Sequence, residues 1–133
     1  MTTIKPKHSY RGYIGSRAYH RELPPQNIQN QIVREFCHRQ EADFLLSLTE
    51  YAMPECYIML NEVLRETSTI NGIVLYSIFM LPTDKQQREQ FIMALLQHNA
   101  SIHGAAENIS IYTLKDWHRV DDMLTLHHLQ TSR

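Results

Sequence analysis

The side chains best suited to hold an anion are crowded into one short stretch. From Tyr10 to Arg21 the chain reads YRGYIGSRAYHR: an apolar strand over Arg11–Gly15 that breaks, at Gly15, into a loop carrying Ser16, Arg17, Tyr19, His20 and Arg21. Guanidinium groups pair with phosphate or carboxylate bidentately, so Arg17 and Arg21 form a candidate anion seat. The plain alternative is that both are solvated or paired with nearby acids. Ser16 and Tyr19 offer hydroxyls to position a ligand. Ser16 also has a second reading, as a nucleophile. No G-x-S-x-G elbow surrounds it and no spacing ties a histidine to it, so a hydrogen-bonding turn serine is the simpler account. GYIGSR is not a phosphate loop, because it has two glycines and lacks the P-loop lysine.

Further along, Glu50 and Glu107 are the candidate acid and base groups. Tyr51 is placed to cover a ligand ring and Ser77 to bind one. The eight histidines form no HExxH or comparable ligand set, so no metal site is expected, and no cofactor is implied. Cys37 and Cys56 have neither CxxC nor zinc-type spacing. With no apolar signal segment or membrane-length run, the expectation is a reduced, cytoplasmic protein without a membrane partner. Residues 1–40 hold seven Lys/Arg against two Asp/Glu, and the remainder six against twelve. This predicts a basic face near the first loop. The net charge of −1 and the lack of a dense basic run argue against a general nucleic-acid partner.

The elements that must position these groups alternate between strand and helix. Residues 1–9 are polar and basic and are read as a flexible leader, with 10–133 as a single domain. A helix over QNIQNQIVREFCHR follows Pro24-Pro25, with Ile28, Ile32, Val33, Phe36 and Cys37 as its apolar face. Strand-type runs are predicted at Asp43–Leu48, Gly72–Ile78 and Ala100–Ala106, with a brief one at Ile109–Tyr112. Helices are predicted at Glu55–Glu66, Lys85–His98 and from Leu114 onward. Their order implies an α/β fold: a three-layer sandwich around a mostly parallel sheet of four to five strands with right-handed crossovers. The carboxyl ends of the parallel strands then converge on one rim, where open α/β sheets bind ligands. That rim collects all the candidate site residues. The stripe Leu114, Trp117, Val120 and Leu124 on the last helix is read as a docking surface for a homo-oligomer.

Two family resemblances attach to these words. Over residues 10–112, GYIGS, QNIQNQIVREFC, GIVLYSIFMLP and NASIHGAAENI resemble the catalytic domain of the serine recombinases, the resolvase and invertase family. The resemblance implies that fold and puts Ser16 at the family's nucleophile position. Ile14 stands where the family has an arginine, and Phe79-Met80-Leu81-Pro82-Thr83 replaces its arginine-bearing turn. Active strand exchange, which needs those cations on the phosphodiester, is therefore not expected. Across the whole chain, RGYIGSR, LPPQNIQNQIVREFC, TEYAMP and GIVLYSIFMLP resemble the sporadic carbohydrate cluster proteins. That resemblance implies a role in bacterial surface-polysaccharide biosynthesis, with a phosphorylated or nucleotide-linked sugar as partner and no assigned reaction. Two readings follow: a sugar-modifying enzyme, or a non-catalytic regulator built on a recombinase-like shell.

Overall fold

A computed structural model of the chain describes residues 8–15, 24–53 and 55–131. Five strands, β1 (Ser9–Ile14), β2 (Asp43–Thr49), β3 (Gly72–Leu75), β4 (Ser101–Gly104) and β5 (Ile109–Ile111), form one sheet in the order β2-β1-β3-β4-β5. The first four are parallel and β5 runs antiparallel to β4. Four α-helices connect them: α1 (Gln26–Arg39), α2 (Ile58–Glu62), α3 (Lys85–Gln97) and α4 (Leu114–Thr131). The expected α/β sandwich is what the chain forms.

The pleat sorts the core into two layers. Tyr10 and Ile14 of β1 and Val74 of β3 meet Val33, Phe36 and Cys37 of α1 on one face. Tyr13, Ile73, Leu75 and Ile102 point the other way, into a larger cluster with Leu60, Phe91, Ile92, Leu95, Trp117 and Leu124. One helix therefore covers one face, and α2, α3 and α4 cover the other. All four β3 residues are buried, as a central strand covered on both sides requires.

The edge strand β2 is bent by a bulge. Register slips between Arg11 and Tyr13, so two residues of β2 oppose Gly12. A Cβ at Gly12 would collide with the Ser47 hydroxyl, which accounts for the glycine. Arg11 seals the irregularity. Its Nη1 donates to the Leu46 carbonyl at 2.8 Å, while Nε and Nη2 donate to Glu66 at 3.1 and 2.5 Å.

Several boundaries differ from the sequence reading, each for a local reason. The second helix starts at Ile58 rather than Glu55, because Glu55 has φ of 56°, and it tightens into a 3-10 turn at Val63–Glu66. β3 ends at Leu75, since Ser77 caps a 3-10 turn at Ile78–Met80 by accepting from the Phe79 N–H. On α1, Ile28 is 39% exposed and Gln29 takes its place inside. α3 begins at the Asp84 cap as read, but it buries Arg88 as well as its apolar residues. The largest correction concerns α4. Trp117, Val120 and Leu124 are buried in the chain's own core, so this stripe is not a docking surface, and of its four residues only Leu114 is exposed.

Candidate functional site

Because β1 to β4 are parallel, the segments leaving them share one rim: Gly15 after β1, Glu50 after β2, Ser77 after β3 and Glu107 after β4. Ser16, Arg17, Tyr19 and Arg21 belong to the segment between Gly15 and Pro24 and lie outside the described residues.

Glu50 is the hub of this rim. It is 2% exposed, and both carboxylate oxygens are engaged. Oε1 accepts from the Tyr13 hydroxyl at 2.8 Å and the Leu60 N–H at 3.0 Å. Oε2 accepts from the N–H groups of Met59 at 3.0 Å and Tyr51 at 3.2 Å, and from the Cys56 thiol at 3.7 Å. The first turn of α2 has orphan amide donors and no side-chain cap of its own, and Glu50 supplies the acceptor from across the loop. One carboxylate thus ties β1, the loop after β2 and α2 together.

Glu107 does a parallel task on the other half of the rim. Its Oε2 accepts from the Ser77 hydroxyl at 2.7 Å and its Oε1 from the Ile78 N–H at 2.7 Å. A Cβ at Gly104 would stand 2.9 Å from that same Oε1, so the glycine leaves room for the carboxylate to fold back over β4. Glu50 follows β2 and Glu107 follows β4, with β1 and β3 between those strands. The two share no donor, and each carboxylate is committed to its own set. Ser77 joins Glu107, while Tyr51 lends Glu50 its backbone N–H and is itself 53% exposed.

Gln29 was not anticipated. Its fully buried carboxamide accepts from the Gly15 N–H at 3.0 Å and donates to the Gly15 carbonyl at 2.9 Å and the Pro24 carbonyl at 2.8 Å. Both ends of the segment 16–23 are thereby held by one side chain. The signal was present in the spacing, since Gln29 stands in phase with Val33, Phe36 and Cys37 on the buried face of α1.

Of the seven Lys/Arg expected to make a basic face, Lys5, Lys7, Arg17 and Arg21 lie outside the described residues. Arg34 lies over the Phe44 ring and Arg39 over Phe36, and α1 runs away from the rim, so neither belongs to it. Arg88 is 1% exposed with all five N–H groups used: on Asp121 at 3.0 and 2.7 Å, on the carbonyls of Pro82 and Thr83 at 3.2 and 3.0 Å, and on Thr125 at 3.4 Å. Among the described residues of the four rim segments there is no Lys or Arg. No group of three or more His, Cys, Asp or Glu placed to hold a metal occurs among the described residues. Among them, too, no helix is long and apolar enough to cross a membrane.

This sheet order, with α1 covering one face and α2, α3 and α4 the other, is a resolvase-like catalytic-domain fold. Among solved structures the chain is similar to the N-terminal catalytic domain of TP901-1 integrase, with a TM-score of 0.64 over 92% of this chain and 96% of that one, at 7% identity. No family model matches the chain, and no curated protein does. The likeness carries the fold alone, and the resemblance to the sporadic carbohydrate cluster proteins has no support from these comparisons.

Proposed function

We propose that this chain is a cytoplasmic protein of surface-carbohydrate biosynthesis that binds a phosphorylated or nucleotide-linked sugar at the carboxyl rim of a resolvase-like shell. In this reading Arg17 and Arg21 take the anionic group, and Ser16, Tyr19 and Tyr51 contact the sugar or base. Glu50 and Glu107 are positioning residues that hold the rim in shape. The observation that carries the reading is the 2.8 Å bond from Tyr13, in RGYIGSR, to Glu50, in TEYAMP. Two separated words of the chain meet there through a buried contact. Gly15 bonded to Gln29 and Ser77 bonded to Glu107 add the remaining words to the same rim.

Recombination fits poorly with this rim. Strand exchange needs preorganised cations around the phosphodiester, and the resemblance puts the buried Ile14 and the Phe79-Met80-Leu81-Pro82-Thr83 turn where the recombinases carry arginines. A covalent adduct between DNA and Ser16 would overturn this judgement.

The test is a thermal-shift screen against uridine-diphosphate hexoses and hexose 1-phosphates. A ligand at a hundred times its Kd stabilises by about 2.7 kcal/mol, and the shift is expected to vanish in Arg17→Ala. A shift that survives in Arg17→Ala, or no shift from any sugar phosphate, contradicts the proposal. The non-catalytic regulator remains the second reading, favoured by the exposed apolar side chains of Met123 and Leu126 on the outer side of α4. Co-purification of a pathway enzyme that is lost in Leu126→Glu would support it.

A further inference from the structure

The edge strand β2 carries one residue more than its packing uses. It is the longest strand of the sheet and, among the described residues, pairs only with β1. Phe44 packs on the α1 side, and the Ser47 hydroxyl donates to Asn30 Oδ1 of α1 at 2.6 Å. Leu45 and Leu48 both pack against the larger cluster on the other face. With Leu46 left out, these four would alternate as the residues of a regular strand do. Leu46 itself belongs to neither layer and is 76% exposed.

We propose that this extra residue guards the sheet edge: it sets the outward hydrogen-bonding groups of the two halves of β2 out of phase, so that a strand of another copy of this chain cannot extend the sheet past β2. The phase is fixed at both ends. The Asp43 N–H donates to the His8 carbonyl at 2.6 Å, and the Glu50 N–H to the Ile14 carbonyl at 3.0 Å. Along a strand, successive residues turn their backbone groups alternately to one neighbour and the other, so Phe44 faces outward by the first anchor and Thr49 by the second. They are an odd number of residues apart, which an unbroken strand does not allow. A strand in phase with Phe44 is therefore out of phase at Thr49. Arg11 deepens the break by drawing the Leu46 carbonyl onto its Nη1, and Asn30 by holding Ser47 from the opposite face. A second β2 brings its own extra residue and its own diverted carbonyl, which leaves a gap in the row where the two bulges meet. The need for a guard lies in the composition. DFLLSLT contains no Lys, Arg or Pro, and a long apolar edge without them is a ready template for strand addition.

Deleting Leu46 tests this, because β1 keeps its partners Asp43, Phe44, Leu45, Leu48 and Thr49, and both core layers keep their residues. The deletion variant is expected to fold. Its edge, now in phase from Phe44 to Thr49, should pair antiparallel with a second copy about Ser47. A two-fold contact of this kind closes on itself, so in sedimentation the mass should rise with concentration towards double that of wild type. In step, the amides of Phe44, Ser47 and Thr49 should gain protection from hydrogen exchange, which a general loosening would not give. Leu46→Lys keeps the phase break and removes the exposed apolar side chain, and it should sediment as wild type does. A folded deletion variant that sediments as wild type at every concentration, or one that associates without protecting those three amides, overturns the proposal. So does a Leu46→Lys variant that associates through them. Should the deletion variant fail to fold, wild type decides. Its Phe44 and Thr49 amides should gain no protection as concentration rises, and protection that grows with concentration overturns the guard.

Discussion

Glu50 shows how a carboxylate at the carboxyl rim of a sheet becomes architecture. Five donors converge on two oxygens in a buried place, so the anion is stabilised by hydrogen bonds instead of water. Glu50→Gln sets an amide N–H against backbone N–H groups. It is expected to cost about 1–3 kcal/mol in urea unfolding; unchanged stability would show that the donors have other acceptors. Arg88 is the matching cation on the far side. Arg88→Met leaves the Asp121 carboxylate, which is 10% exposed, with only the more exposed Lys85 at 3.8 Å, and should cost about 3–5 kcal/mol. Adding Asp121→Leu should recover part of that loss, because replacing both partners removes the unpaired charge. A double variant no more stable than the single would argue that the Pro82 and Thr83 carbonyls matter more than the pair.

At the scale of elements, the strand and helix order was legible because each element's apolar period matches its geometry, most plainly in the continuous run of β3. What remained illegible were polar residues on apolar faces. Gln29 sits in helical phase with Val33 and Phe36, and Arg88 in phase with Phe91, Ile92 and Leu95, but hydrophobic period alone assigns such residues to solvent. The α4 stripe erred in the other direction: Trp117, Val120 and Leu124 were recognised as one face, but periodicity does not say whether that face meets the chain's own sheet or a partner. For the candidate site, the rim location of Glu50, Ser77 and Glu107 followed from the parallel order. Their partners did not, since Tyr13–Glu50 and Ser77–Glu107 are 37 and 30 residues apart. Gln29 yields the element-scale prediction. Gln29→Glu keeps the shape but cannot donate to the carbonyls of Gly15 and Pro24. It should lower stability by about 1–3 kcal/mol and weaken sugar-phosphate binding together with it. Full binding in a destabilised Gln29→Glu protein would separate the clamp from the site.

The whole molecule combines a resolvase-like shell with a rim whose described carboxylates are spent on holding the fold, and the proposed function assigns the anion to Arg17 and Arg21. Such a division predicts that removing the arginines and removing the carboxylates have opposite signatures: lost affinity with intact folding for the first, reduced stability with retained affinity for the second. Isothermal titration of a uridine-diphosphate hexose into wild type, Arg17→Ala, Arg21→Ala and Glu107→Gln measures this most directly. Each arginine variant is expected to lose at least about tenfold in affinity, the equivalent of one charge-assisted hydrogen bond, while Glu107→Gln stays within roughly threefold of wild type with a lower Tm. Binding that survives both arginine substitutions but disappears in Glu107→Gln would contradict the account.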